Sequence, residues 1–239
     1  MYSLGASNDK IYQYTLSTAW DISTLSYANS FFNVGTYDGD PTDLFLNSDL
    51  TTMYIIGHSK DTIYQYTLST AGELSSASYA NNSYDVSLYE TLSNDLIFNS
   101  DGTSLYTIGS DTDTIYQHSL STAWDISSGS YIGSNFDVSS QEDQPTCLSF
   151  NSDGTYMYVL GDSVDTVYQY SLSPSWDIST GSYTGNSLNV HSQDQDPYGM
   201  SFNSDGTAMY MIGYSTDKVY QYSLSTAWDV SSGSYTGNS

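Results

Sequence analysis

The sequence predicts an all-β protein, a five-bladed β-propeller of four-stranded antiparallel blades. Three observations predict it: a fixed 52-residue repeat, four strand-like stretches in each period, and strands with no charged face. Tyr12, Tyr64, Tyr116, Tyr168 and Tyr220 keep that step, as do Gln13, Gln65, Gln117, Gln169 and Gln221. Gly5, Gly57, Gly109, Gly161 and Gly213 keep it too, and no insertion breaks the register. The chain therefore reads as a single domain over 1–239, in repeat units 1–47, 48–99, 100–151, 152–203 and 204–239.

Residues 145–190 show the elements in order. "PTCLSFN" is a first strand, "SDGT" a tight turn, "YMYVLG" a second strand, "DSVD" an acidic turn and "TVYQYSL" a third strand. The loop "SPSWDISTG" then leads to an outer strand, "SYTGNSLNV", and nothing in the unit has helical period. Asp-Gly at 101–102, 153–154 and 205–206 marks a hairpin, because glycine accepts the positive φ that the turn demands. The first copy has Leu50 where glycine belongs, so its turn is expected to be strained or differently shaped.

In "TVYQYSL" the faces are Val167, Gln169 and Ser171 against Tyr168, Tyr170 and Leu172. Neither face is one that water would solvate by charge, so each sheet needs a neighbour on both sides. Tyrosine suits that setting, since its ring covers area while its hydroxyl reaches a polar partner. Five full units would need 21 residues more than the 239 present, so one blade is expected to be incomplete. It would take its second and third strands from residues 1–16 and lack its first. Either the chain is an excerpt of a longer protein, or a neighbouring molecule pairs with the unpaired strand edge, a route to self-association.

Composition excludes several function classes. With 38% hydrophobic residues and 25 tyrosines, the chain can bury a core despite a mean hydropathy of -0.37. A net charge of -24, with only Lys10, Lys60 and Lys218 and no arginine, excludes nucleic acid as a partner and disfavours anionic membrane surfaces. No apolar run is long enough for membrane insertion and no signal peptide is visible. Cys147, the sole cysteine, reads as a small strand residue rather than a reactive thiol.

The unit "FNSDGTYMYVLGDSVDTVYQYSLS" resembles the repeat of the YVTN, NHL and lactonase-like propeller families. The fuller "YQYSLSTAWDISSGSY" resembles repeats of large marine bacterial and phage proteins. The likeness covers the whole chain and implies a scaffold that serves binding modules, surface proteins and a few enzymes. It points to an extracellular, cell-surface or virion-associated setting.

Candidate sites follow from which loops share an end. Turns between second and third strands contribute Asp9, Asp61, Asp113, Asp165 and Asp217, and interblade connections add Asp38, Asp40, Glu90, Glu142, Asp143, Asp194 and Asp196. Clustered carboxylates suit Ca²⁺, so the five turn aspartates are candidate metal ligands and calcium is the candidate cofactor. The alternative is a merely solubilising acidic rim, and no stretch follows the twelve-residue calcium loop. Trp20, Trp124, Trp176 and Trp228 recur beside carboxylates and are candidate ligand-binding residues that stack on glycans; the competing reading has each indole fill a gap between blades. The repeated glutamines are expected to bond a neighbouring blade's backbone and fix register. His118 stands where other units have tyrosine and is expected to pack as an aromatic, while His58 and His191 lie at the acidic end, where a histidine-carboxylate metal site is conceivable.

A catalytic propeller is expected to show blade-specific polar departures, and the array looks too uniform for that. The resulting expectation is a non-catalytic recognition or structural module that binds glycan or protein. The alternative is a Ca²⁺-assisted hydrolase or lyase at the acidic channel mouth.

Overall fold

The computed structural model describes the backbone of residues 1–239 and every side chain except that of Ala6. It contains five antiparallel sheets, the blades of a propeller fold. The first has three strands, β1 (Tyr2–Gly5), β2 (Lys10–Leu16) and β3 (Leu25–Asn33). The second is β4 (Pro41–Leu46), β5 (Thr52–Gly57), β6 (Thr62–Leu68) and β7 (Ala77–Asp85). The third is β8 (Ser93–Phe98), β9 (Ser104–Gly109), β10 (Thr114–Leu120) and β11 (Gly129–Asp137). The fourth is β12 (Pro145–Phe150), β13 (Tyr156–Gly161), β14 (Thr166–Ser171) and β15 (Ser182–Asn189). The fifth is β16 (Pro197–Phe202), β17 (Ala208–Gly213), β18 (Lys218–Leu224) and a three-residue β19 (Gly233–Tyr235), so this sheet too has four strands.

By packing the chain divides into two compact units, Met1–Thr112 with Tyr116–Gly133, and Asp113–Ile115 with Ser134–Ser239. Within the first, successive residues of β5 face opposite ways, as strand geometry requires. Met53 and Ile55 join Ile11, Val34 and Tyr66, whereas Tyr54 and Ile56 join Leu96, Phe98 and Leu105. Both faces of the second sheet are therefore dry, which is what the uncharged strands require. In the second unit Tyr158, Leu160, Met209, Met211 and Tyr222 form the equivalent core. Each fully buried aliphatic contributes about 1.5–3 kcal/mol, so stability comes mostly from this face-to-face stacking.

The repeated polar residues are hydrogen-bonding fixtures. Gln65 Oε1 accepts from the Ile126 N–H at 3.3 Å and Gln169 Oε1 from the Val230 N–H at 3.2 Å, each reaching the next blade's loop. Gln13 does the same, donating to the Gly72 carbonyl at 2.9 Å and accepting from the Leu74 N–H. These bonds lock one blade's register to the next. In each hairpin the aspartate folds over its own turn; Asp101 Oδ1 accepts from both the N–H and the hydroxyl of Thr103. Those two bonds hold the Asp101 carboxyl below the usual carboxylate range. Leu50, at φ 59°, does adopt the left-handed conformation that its glycine counterparts hold at 71–72°.

Candidate functional site

Each β8-type strand begins with a bulge, where one extra residue bends the strand and re-aims a side chain. The bulges fall between Pro41 and Asp43, Ser93 and Asp95, Pro145 and Cys147, and Pro197 and Gly199. The residue inside the bulge is Thr42, Asn94, Thr146 or Tyr198. Thr42 and Thr146 use their hydroxyls structurally, donating to the carbonyls of Ser93 at 2.8 Å and Pro197 at 2.9 Å. Asn94 does something different, since its Oδ1 lies 2.8 Å from His58 Nε2, while His58 Nδ1 lies 3.6 Å from Asp40 Oδ2.

The residue after the bulge carries the second departure. Asp43 on β4 and Asp95 on β8 are hydrogen-bonded to each other through their carboxyls. Burial and the facing Asp95 charge push the Asp43 carboxyl well above the usual carboxylate range, so the pair holds a proton. The Leu96 N–H donates to Asp43 Oδ2 at 3.2 Å and fixes the carboxyl's orientation. Asp95 is 6% exposed and Asp43 is half-buried. Where these two stand, the later repeats have Cys147 and Gly199.

Beneath this, Asp61 accepts from the Ser93 N–H at 3.2 Å, and burial raises its carboxyl pKa against that bond. Segments 40–43 and 93–95, with the turn at 58–61, thus carry His58, Asn94 and four acidic residues, Asp40, Asp43, Asp61 and Asp95, a set that no other repeat combines. The expectation of a uniform array is corrected: departures exist and lie in two neighbouring sheets. In sequence Asp43 and Asp95 are only the strand counterparts of Cys147, and nothing there marks the bulges that bring their carboxyls together.

The five turn aspartates are placed otherwise than a shared metal site needs. Asp9, Asp61, Asp113, Asp165 and Asp217 each occupy the left-handed position of a separate turn, with φ of 46–55°. Backbone carbonyls of Asp9, Asp61, Asp113 and Asp165 accept from Val34, Val86, Val138 and Val190. Asp165 Oδ2 also pairs with His191 Nδ1 at 2.6 Å. Among the described residues no three histidine, cysteine or carboxylate side chains are grouped to hold a metal ion.

Four of the seven acidic residues of the interblade connections turn inward. Asp38, Glu90, Glu142 and Asp194 are at most 2% exposed, and Glu90, Glu142 and Asp194 clasp the facing turn. Glu90 accepts from the N–H groups of Thr91, Leu92, Asp111 and Thr112 and from the Thr112 hydroxyl. Asp194 repeats this with Asp196, Ser215 and Thr216. A Cβ on Gly57, Gly109, Gly161 or Gly213 would overlap the buried carboxylate of Asp38, Glu90, Glu142 or Asp194, which explains why glycine recurs at these four positions.

The tryptophans also adopt positive φ: 64° for Trp20 and 65° for Trp124, Trp176 and Trp228. The last three press on the turn glycines Gly102, Gly154 and Gly206, where a Cβ would overlap the indole. Trp124 stacks 6.3 Å from Phe45 of the preceding blade and 5.3 Å from Phe98, and its carbonyl accepts from the Tyr54 hydroxyl. Trp20 is 51% exposed.

No protein-family model and no curated protein matches the chain. Solved structures do match its fold. A Bacteroides uniformis "putative 6-phosphogluconolactonase" is 12% identical with a TM-score of 0.59, over 99% of this chain and 66% of that one. A Lactobacillus plantarum protein is 15% identical at a TM-score of 0.58, over 98% and 65%. The periplasmic gluconolactonase of Pseudomonas aeruginosa is 13% identical at 0.53, over 98% and 67%. The chain thus spans about two thirds of the length of these structures, 65–66% of the first two. At such identities the likeness shows the fold alone, a β-propeller with lactonase-type neighbours. Those names stand against the expectation of a non-catalytic recognition or structural module.

Proposed function

We propose that the protein is a hydrolase that opens a cyclic ester at the Asp43–Asp95 pair. The observation that carries this is two carboxyls in hydrogen-bonding contact at adjacent bulges, an arrangement that lets one act as acid and the other as base at the same pH. Asp95, ionised, takes a proton from water as the water oxygen bonds to the ester carbon. Asp43 gives its proton to the oxygen leaving as the ring C–O bond breaks. Ester and water become a hydroxy acid, and the pair is left with its proton exchanged between the two carboxyls.

The lactonase-type neighbours support ring esters as the substrate class. The His58–Asn94 bond supports a binding role beside the pair, since a bulge side chain held from two sheets is a rigid donor or acceptor for substrate hydroxyls. The test is titration of acid release from δ-gluconolactone by the wild type, Asp95→Asn and Asp229→Asn, the last altering a carboxylate that caps a loop turn and accepts from Asn186. A fall of at least about 10²-fold in Asp95→Asn alone supports the assignment. Equal rates in all three overturn it.

A further inference from the structure

Leu88 and Leu92 lie in the connection that leads into Ser93, Asn94 and Asp95, and both are exposed, 87% and 41%. Single exposed leucines are ordinary on a protein surface, but these two share one loop and both replace polar residues. At the first position the other repeats have Thr36, Ser140 and Ser192, and at the second Asp40, Gln144 and Asp196. Leu92 is held in place, since its N–H donates to Glu90 Oε1 at 2.9 Å inside the clasp. The only connection that lost its polar side chains at both positions is the one that delivers Asn94 and Asp95.

Charge sets the other limit. The chain carries -24 with no arginine, and of its three lysines Lys60 lies over the Tyr64 ring at 5.8 Å. Asp40, 3.6 Å from His58, and Asp61, which accepts from the Ser93 N–H, add further negative charge on the neighbouring segments. A phosphorylated substrate would meet this field with no guanidinium to receive it.

We infer that the substrate is an uncharged lactone with an alkyl substituent, the ring ester at Asp43 and Asp95 and the alkyl chain over Leu88 and Leu92. This deepens the hydrolase reading and rests on it. The step is the same hydrolysis: water adds to the ring carbonyl, the ring C–O bond breaks, and the product is a hydroxy acid bearing the alkyl chain.

The experiment compares initial rates on γ-butyrolactone, γ-octalactone, γ-decalactone, δ-gluconolactone and 6-phosphogluconolactone. Expected is kcat/KM rising about 10-fold or more from the four-carbon to the ten-carbon lactone, with 6-phosphogluconolactone slowest. Leu88→Ser with Leu92→Gln, matching the residues at 140 and 144, should flatten that rise. Gluconolactone or its phosphate turning over fastest overturns the substrate class and leaves the hydrolase standing. An undiminished chain-length rise in the double variant also overturns the class. Inertness of all five probes overturns both readings.

Discussion

Leu50 and Gly72 hold, in the second blade, the inverted pair of residues that Gly102 and Trp124 hold in the third. In both blades the loop residue's N–H donates to the turn residue's carbonyl at 2.9 Å, Gly72 to Leu50 and Trp124 to Gly102. The bulky partner has simply changed sides. Where the indole sits over the turn, the turn residue must be glycine; where the indole is missing, leucine enters and fills the space, with its Cδ1 3.4 Å from where a Gly72 Cβ would lie. Leu50 does so at φ 59°, a conformation that costs a branched L-residue roughly 1–2 kcal/mol.

Two substitutions follow from that pair. Gly102→Ala forces a methyl into the Trp124 ring and should lower stability by about 2–3 kcal/mol, the cost of overpacking plus a strained φ. Leu50→Gly relieves backbone strain but empties the space over Gly72, so its change should stay within about 1 kcal/mol. Urea unfolding midpoints measure both, and a neutral Gly102→Ala would show that the indole is not seated against the turn.

Much of this fold was legible in the sequence because the signals are periodic and local. Asp-Gly in a hairpin, uncharged strands and mid-strand glutamines each have one simple structural reading, and the five-fold repetition multiplies it. The site was less legible. Asp43 and Asp95 lie 52 residues apart in equivalent positions, so by period alone they look like scaffold. Only three-dimensional packing shows that adjacent bulges bring their carboxyls into contact. The acidic end misled for the opposite reason: Glu90 and Asp38 look like a solvated rim in sequence, yet the backbone N–H groups of the turns draw them inside.

The carboxyl pair should cost stability while it serves chemistry. Asp43 has a folded pKa above its unfolded value, so its favourable contribution is complete below the unfolded pKa, near 4, and is lost as pH rises through the folded value. Asn mimics the protonated form. Asp43→Asn should therefore raise the melting temperature at pH 7–8 by a few degrees and do little at pH 3, while abolishing turnover. A variant destabilised at both pH values would mark the pair as purely structural.

His118 gives the reverse pH dependence. Its ring is fully buried, Nδ1 lies 3.1 Å from the Tyr84 hydroxyl, and burial lowers its pKa to about 4. Its stabilising contribution is complete above the unfolded value near 6.5 and is lost as pH falls toward 4, by as much as about 3 kcal/mol. Other repeats place Tyr66, Tyr170 and Tyr222 at this position, and Phe32 or Phe136 at that of Tyr84. The double change His118→Tyr with Tyr84→Phe should flatten the stability profile between pH 6.5 and 4, read by thermal melting. An unchanged acid slope would place the titrating group elsewhere.

Calcium offers a test of the acidic turns. Asp9, Asp61, Asp113, Asp165 and Asp217 stand one to a turn, and among the described residues no three carboxylates converge on one ion. A ligand that binds only the folded state raises the melting midpoint by an amount set by its concentration over Kd. Melting in 5 mM CaCl₂ or EDTA, on the order of a hundred times a 50 μM Kd, would separate by about 2.7 kcal/mol if such a site existed. The expected result is coincident curves, and a separation of several degrees would reinstate a calcium site at this end.

The clasps carry the sharpest stability prediction. Glu90 satisfies four backbone N–H groups and one hydroxyl, tying the connection at 90–92 to the turn at 111–112 from a position 1% exposed. Removing it strands buried donors at about 1–3 kcal/mol apiece, less what water recovers. Glu90→Ala should therefore cost about 3–5 kcal/mol and loosen the segment that positions Leu92 and Asn94. Glu90→Gln keeps one acceptor oxygen but turns an amide N–H toward the Thr112 N–H, and should fall between wild type and alanine. Hydrogen exchange at Asp111 and Thr112 reads the clasp directly, because those amides are its donors. Protection that survives in Glu90→Ala would mean the backbone alone holds the turn.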